Sequence, residues 1–133
     1  MPSRSTSDLH PVLAAAWQDA SARWKKQFPS LAQPVLTATY RSREEQDALY
    51  RQGRTAPGPK VTNARGGQSP HNFNPSYAFD VAFVKAGKTD WNEKLFREFA
   101  RLVTDPRIQW GGTFRSLPDM PHFELRGWQQ LTK

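Results

Sequence analysis

Two segments hold the residues best suited to chemistry: Ser69-Pro-His-Asn-Phe-Asn-Pro-Ser-Tyr-Ala-Phe-Asp80, and Asp119-Met-Pro-His122. Between them they contain two of the chain's three histidines. A neutral imidazole, a carboxylate and a second imidazole form a common ligand set for a catalytic Zn²⁺, with the fourth position left to water. His71, Asp80 and His122 are such a set. Asp119, three residues before the last histidine, is then placed to take a proton from that water. The chemistry these residues suggest is metal-assisted hydrolysis with one Zn²⁺.

The elements that must position them can be read from local patterns. Ala78 to Val84 alternates as a strand, with Phe79, Val81 and Phe83 on one face and Ala78, Asp80, Ala82 and Val84 on the other. Asp80 is thus a carboxylate in the middle of a core strand, and a buried charge there must be paired or bound to metal. Its alanine neighbours leave room for an ion. His122 to Leu125 reads as a last strand, with His122 and Glu124 sharing a face. For Glu124, pairing with a nearby arginine is favoured over a ligand role. Ile108 to Trp110 is a short strand followed by a Gly111-Gly112 turn that allows close backbone approach. Trp110 and Phe123 read as core residues.

The first helix carries Leu9, Leu13, Trp17, Ala20, Trp24 and Phe28 as an apolar stripe, opened by Pro11 and stopped by Pro29. His10 at its entry reads as a capping or solvent-facing residue. Val35 to Tyr40 is a strand. Ser42-Arg-Glu-Glu45 is a capping box for a second helix that runs to about Gln52, with Gly53 as its stop. Arg41 sits at that strand-to-helix junction, where it either points into a site or pairs with Glu44 or Glu45. Asp90-Trp-Asn-Glu93 opens a third helix that buries Trp91, Leu95, Phe96, Phe99, Leu102 and Val103 and ends at Asp105-Pro106. Residues 53–77 are rich in Gly and Pro and read as a substrate wall or flap, with a solvated loop as the alternative. Residues after Arg126 read as a tail. Together these elements predict an α+β domain: an antiparallel sheet packed with about three helices.

Composition limits the function. With 133 residues the chain predicts a single catalytic domain over 1–133, its core spanning about 8–126, and no separate wall-binding domain. There are no cysteines, which excludes disulfides, thiolate metal sites and a cysteine nucleophile. Ser69, His71 and Asp80 lack the elbow and geometry of a serine triad. No apolar run is long enough to span a membrane. The N-terminal residues lack the apolar core of a Sec signal. The formal charge of +7 suits an anionic partner. Its basic residues are spread and come with no helix-turn-helix, RNP or finger pattern, so no nucleic-acid partner is expected and an anionic bacterial envelope surface is.

The ordered set Tyr40-Arg41-Ser42…Glu45-Gln46, Ser69-x-His71…Ala78-x-Asp80, Trp110-Gly111-Gly112 and Asp119-x-x-His122-Phe-Glu-Leu resembles the zinc D-Ala-D-Ala carboxypeptidase family over residues 35–126. That family includes vancomycin-resistance dipeptidases and phage L-alanyl-D-glutamate endopeptidases. The resemblance implies that His71, Asp80 and His122 bind zinc and that Asp119 is the catalytic base. It implies that Arg41 stabilises the oxyanion and helps bind substrate, and that Ser69 helps hold substrate. One departure stands out: the family pattern S-x-H-x-x-G-x-A-x-D is two residues shorter between histidine and aspartate. Here Asn74-Pro75-Ser76 occupies the turn, and the two added residues preserve strand parity at Asp80.

The function expected from all this is a monomeric phage-type endolysin that hydrolyses the L-alanyl–D-glutamate bond of peptidoglycan stems. It would be made in the host cytoplasm and act on the wall in the periplasm after release. Residues 53–77 and the longer turn would wall an open groove, with Arg54, Lys60 or Arg65 meeting the glutamate carboxylates. The alternatives are a D,D-carboxypeptidase or dipeptidase of the same family and, from another class, a basic non-enzymatic binder of nucleic acid or envelope polymer.

Overall fold

The computed structural model describes residues Met1–Lys133. Its regular elements are α1 (Pro11–Gln27), β1 (Gln33–Ala38), α2 (Arg43–Arg51), β2 (Ala78–Lys85), β3 (Lys88–Thr89), α3 (Glu93–Leu102), β4 (Ile108–Trp110) and β5 (His122–Leu125). The strands form one antiparallel sheet in the order β1-β2-β5-β4, with β3 pairing the end of β2. This is the α+β architecture the patterning predicts. No helix is long and apolar enough to cross a membrane.

The alternation in β2 divides the molecule. Phe79, Val81 and Phe83 are fully buried on the helix side, where they meet Leu13, Trp24 and Phe99. Trp24 stands 5.0 Å from Phe83 between ring centroids, and Phe79 stacks on Phe123 of β5 at 5.2 Å. Each such side chain contributes roughly 1.5–3 kcal/mol by leaving water, so this aromatic layer anchors α1 and α3 to the sheet. The opposite face of β2 is left for the site.

Capping chemistry sets several boundaries. His10 caps α1, its Nδ1 accepting from the Val12 amide at 3.2 Å. The Ser42–Glu45 capping box of α2 is complete. Gly53 follows that helix at φ +80°, a conformation open to glycine. β1 stops at Ala38 rather than Tyr40 because the next residues turn to the N-terminal segment. There the Thr39 amide donates to the Ser3 carbonyl (2.6 Å), and the Ser3 amide donates to Tyr40 (2.7 Å).

Two expectations fail. Trp91 is 61% exposed, because Asn92 is the N-cap of α3 and leaves Trp91 one residue outside the helix. The residues after Arg126 are not a tail: Trp128–Thr132 form a short 3₁₀ helix, and Trp128 is buried with its ring 6.0 Å from Phe73. The hairpin strand β3 was not legible beforehand, since Lys88 and Thr89 are both exposed and carry no apolar alternation.

Trp128→Ala is therefore expected to lower stability by about 3 kcal/mol, as for other buried aromatics. Urea unfolding checks this; a midpoint unchanged from the parent would return these residues to the status of a tail.

Candidate active site

The register of the central strand pair assembles the chemistry. Asp80 lies directly opposite His122, and Ala78 opposite Glu124, so Asp80, His122 and Glu124 share the sheet face away from the helices. The third member comes from a 3₁₀ turn, Pro70–Asn72. Ser69 caps that turn, its Oγ accepting from the His71 amide at 3.2 Å while its own amide donates to Asn72 Oδ1. The turn is docked on the chain leaving β1: the Arg41 amide donates to the His71 carbonyl (2.8 Å), and Asn72 Nδ2 donates to the Arg41 carbonyl (3.0 Å).

One nitrogen of each imidazole faces Asp80 Oδ1: His71 Nε2 at 3.2 Å and His122 Nδ1 at 3.0 Å. The three candidate ligand atoms lie within 4.8 Å of one another. Ligands about 2.0–2.1 Å from a tetrahedral Zn²⁺ stand roughly 3.3 Å apart, so the cluster matches the size of a zinc site. The outer nitrogens fit it as well. His71 Nδ1 meets the Thr39 carbonyl at 2.7 Å, and His122 Nε2 meets Glu124 Oε1 at 2.7 Å. With those nitrogens donating, the inward ones present lone pairs, the tautomers a metal requires.

Charge is concentrated here. Burial alone would raise the Asp80 carboxyl, but the adjacent imidazoles outweigh it and hold the group well below the ordinary range. Burial alone would lower His122, yet its hydrogen bonds to Asp80 and Glu124 push it up to about 10. Asp119, at the rim, is raised by lost hydration against the cleft wall and then by the charge of Asp80. Arg41 reaches the same carboxylate, with Nη2 3.5 Å from Asp80 Oδ2 and Nη1 donating to Gln46 Oε1 at 3.0 Å.

Asp119 is fixed through its backbone. Its amide donates to the Gly111 carbonyl (2.9 Å), and its carbonyl accepts from the His122 amide (3.1 Å). A Cβ on Gly111 would collide with that Asp119 carbonyl and stand 3.0 Å from the His122 Cβ, so only glycine fits. Trp110 Nε1 donates to the Met120 carbonyl at 2.7 Å and holds the same turn.

These groups line a cleft of about 680 Å³. Val61 to Ala64 and Ser69 form one wall, Phe114, Leu117 and Asp119 the other. Part of the irregular segment therefore lines the cleft. Gln46, buried at 1% exposure, ties it down: its Nε2 donates to the Ala64 carbonyl at 2.9 Å while its oxygen holds Arg41. A polar residue on a helix gives no sign of burial, so the motif around Gln46 does not reveal its role. The roles of Thr39 and Asn72 rest on contacts 32 and 31 residues away in sequence, which no local pattern shows.

Of the two readings of Arg41, the structure shows the one that points into the site; Glu45 is occupied by the capping box and by the N-terminal amine at 2.6 Å. Three expectations are corrected. Glu124 pairs with His122 rather than with an arginine. Arg54, Lys60 and Arg65 do not line the cleft. The longer turn forms none of its wall either: Ser76 is buried and paired with the segment before α1, its amide donating to the Asp8 carbonyl at 2.7 Å.

Glu124→Ala should weaken zinc binding about 10- to 100-fold, as loss of a carboxylate behind a histidine ligand does; competition with a metal-sensing dye measures this. The pH dependence follows from His122. Ordinary imidazoles would compete with metal only below about pH 6.5. Because metal-free His122 keeps its proton to about pH 10, zinc must displace it, and affinity should keep rising with pH up to that value. Calorimetry at pH 7.5 in buffers of different ionisation enthalpy should show about one proton released per zinc; no release would contradict this charge state.

The chain is similar to several known proteins. A model of the D-alanyl-D-alanine carboxypeptidase family matches residues 62–125. The peptidoglycan L-alanyl-D-glutamate endopeptidase CwlK of Bacillus subtilis is 37% identical over 134 residues, an alignment covering 90% of this chain and 74% of CwlK. Among solved structures, the Serratia marcescens L-Ala D-Glu endopeptidase ChiX has the same fold, with a TM-score of 0.67 at 23% identity over 98% of this chain and 93% of its own. The vancomycin-resistance D,D-pentapeptidase VanY, solved with Zn(II), gives a TM-score of 0.64 at 13% identity over 99% and 80%.

Proposed function

Because the chain belongs to the D-alanyl-D-alanine carboxypeptidase family of zinc peptidases, we propose that it is a wall-lytic endopeptidase of the phage endolysin kind, cutting the L-alanyl–D-glutamate bond of peptidoglycan stem peptides. The observation that carries the reading is the meeting of His71, Asp80 and His122 with Arg41 and Asp119 in one cleft. Similarity to CwlK favours this bond over a terminal D-Ala–D-Ala. So does an Asp at 119, where by resemblance the dipeptidases carry Glu.

His71 Nε2, Asp80 and His122 Nδ1 would hold the zinc. When bound, Zn²⁺ supplies Lewis acidity, bringing the pKa of water toward 7 and polarising a carbonyl. The protein does the rest. Asp119 takes the proton of the attacking water and returns it to the departing amine, a task suited to a carboxyl whose pKa is raised. The Arg41 guanidinium, aimed by Gln46, faces the negative charge that grows on the carbonyl oxygen. Thr39 and Glu124 keep both imidazoles in the binding tautomer. Ser69 holds the His71 turn and lines the cleft, where it can also meet the substrate backbone.

Asp119→Asn should retain zinc and lose hydrolysis by a factor of about 10²–10⁴, whereas His71→Ala and His122→Ala lose both. Mass spectrometry of a digested stem peptide identifies the bond. New D-glutamyl amino termini are expected; release of free D-alanine with the L-Ala–D-Glu bond intact would assign the protein as a carboxypeptidase.

A further inference from the structure

Three cations that do not line the cleft, Arg54, Lys60 and Arg65, lie together around Tyr50. Residues 48–79 contain Arg51, Arg54, Lys60 and Arg65 and no Asp or Glu. Several arginines elsewhere are paired with acids, as in Arg23–Asp19, Arg97–Glu93, Arg101–Glu98 and Arg107–Asp105. Arg54, Lys60 and Arg65 around Tyr50 make no salt bridge; Asp47, on the same helix as Tyr50, accepts instead from the Gly66 amide at 2.7 Å. The Arg54 guanidinium lies 3.9 Å from the Tyr50 ring centre, and that of Arg65 lies 4.9 Å from it. Arg54 is locked by neutral acceptors only: the carbonyls of Tyr50 (2.6 Å) and Thr62 (3.1 Å) and the side chain of Asn63 (3.2 Å). Arg65 Nη2 reaches the Tyr50 hydroxyl at 3.4 Å. Arg65, Arg54 and Lys60 together lower the Tyr50 phenol, so their fields converge on one spot. The segment that carries these cations also supplies Val61 to Ala64 to the cleft.

We propose that the ridge of Arg54, Lys60 and Arg65 around Tyr50 is an exosite for the carboxylates of neighbouring stem peptides in the peptidoglycan layer. This rests on peptidoglycan being the substrate. A stem in the cleft belongs to a polymer that presents many others alongside it, each with free carboxylates. Guanidinium groups already held in place bind such anions with little further loss of side-chain freedom. The ridge thus holds the enzyme to the insoluble polymer and takes no part in bond cleavage.

The test uses zinc-loaded protein carrying Asp119→Asn, which binds without digesting, sedimented with purified sacculi at about 50 mM salt. Adding Lys60→Gln with Arg65→Gln should weaken binding about tenfold. Lys85→Gln with Lys88→Gln removes the same charge from the exposed β2–β3 turn and should change binding less than twofold. In protein with Asp119 intact, the Lys60/Arg65 pair should leave hydrolysis of a soluble stem peptide within twofold. Equal weakening by both pairs, or none by the Lys60/Arg65 pair, overturns the exosite. Sacculi whose carboxyls have been converted to neutral amides should bind the parent no better than the variant. If amidation has no effect and stripping phosphate polymers abolishes binding, the carboxylate assignment is overturned. Salt-sensitive binding to duplex DNA that disappears with Lys60→Gln and Arg65→Gln, without loss on sacculi, overturns it too. Sedimentation reads the ridge directly, so failure to cut the stem peptide would defeat the peptidase reading and leave the exosite to stand or fall by itself.

Discussion

The structure depends on one carboxylate. Asp80 stands in a central strand with an imidazole 3.0 Å away on one side and another at 3.2 Å on the other, and Arg41 at the edge of contact. A lone buried charge would cost several kcal/mol, and His71, His122 and Arg41 answer that cost. The partners come from three parts of the chain: the stretch after β1, the turn at His71, and β5. Satisfying Asp80 therefore fixes how the sheet, the irregular segment and α2 meet. The buried side-chain polar atoms all have hydrogen-bond partners, which is how so polar a centre coexists with an aromatic core one layer away.

The two faces of β2 divide the labour. Phe79, Val81 and Phe83 supply hydrophobic stabilisation on one side; Asp80, between small alanines, supplies chemistry on the other. Because side chains alternate strictly along a strand, neither role compromises the other. The same alternation in β5 sends Phe123 and Leu125 to the core, and His122 and Glu124 to the site. Support behind the imidazoles is the Thr39 backbone carbonyl for His71 and the Glu124 side-chain carboxylate for His122.

Much of this was legible in the sequence because it rests on periodicity and covalent local rules. The parity of Asp80, the shared face of His122 and Glu124, and the Ser42–Glu45 box are properties of a few adjacent residues. What was not legible depended on contacts made across the fold. Glu124 was assigned an arginine partner because the nearness of its own strand neighbour's ring nitrogen depends on a rotamer. Gln46 gave no sign that it links Arg41 to Ala64, since its partner lies 18 residues away. Trp91 and Trp128 were misplaced in opposite directions, because a single residue at a helix end decides whether an indole faces water or core. The two residues added before Asp80 were read as cleft wall, whereas Ser76 turns to pair with the segment ahead of α1.

The place of β5 in the sheet has a consequence for biosynthesis. It follows every other strand in the chain yet sits inside the sheet, between β2 and β4. A nascent chain emerges from its N-terminus, so β1, β2 and β4 are all made while the slot between the last two stands open. His71 and Asp80 alone provide two of the three candidate ligand atoms, and Asp119, the proposed base, is anchored through backbone bonds to Gly111 and His122. Until β5 enters, the polypeptide has neither a closed sheet nor a working centre. A chain that stops before β5 therefore lacks His122, the third candidate ligand, and Glu124, the carboxylate behind it.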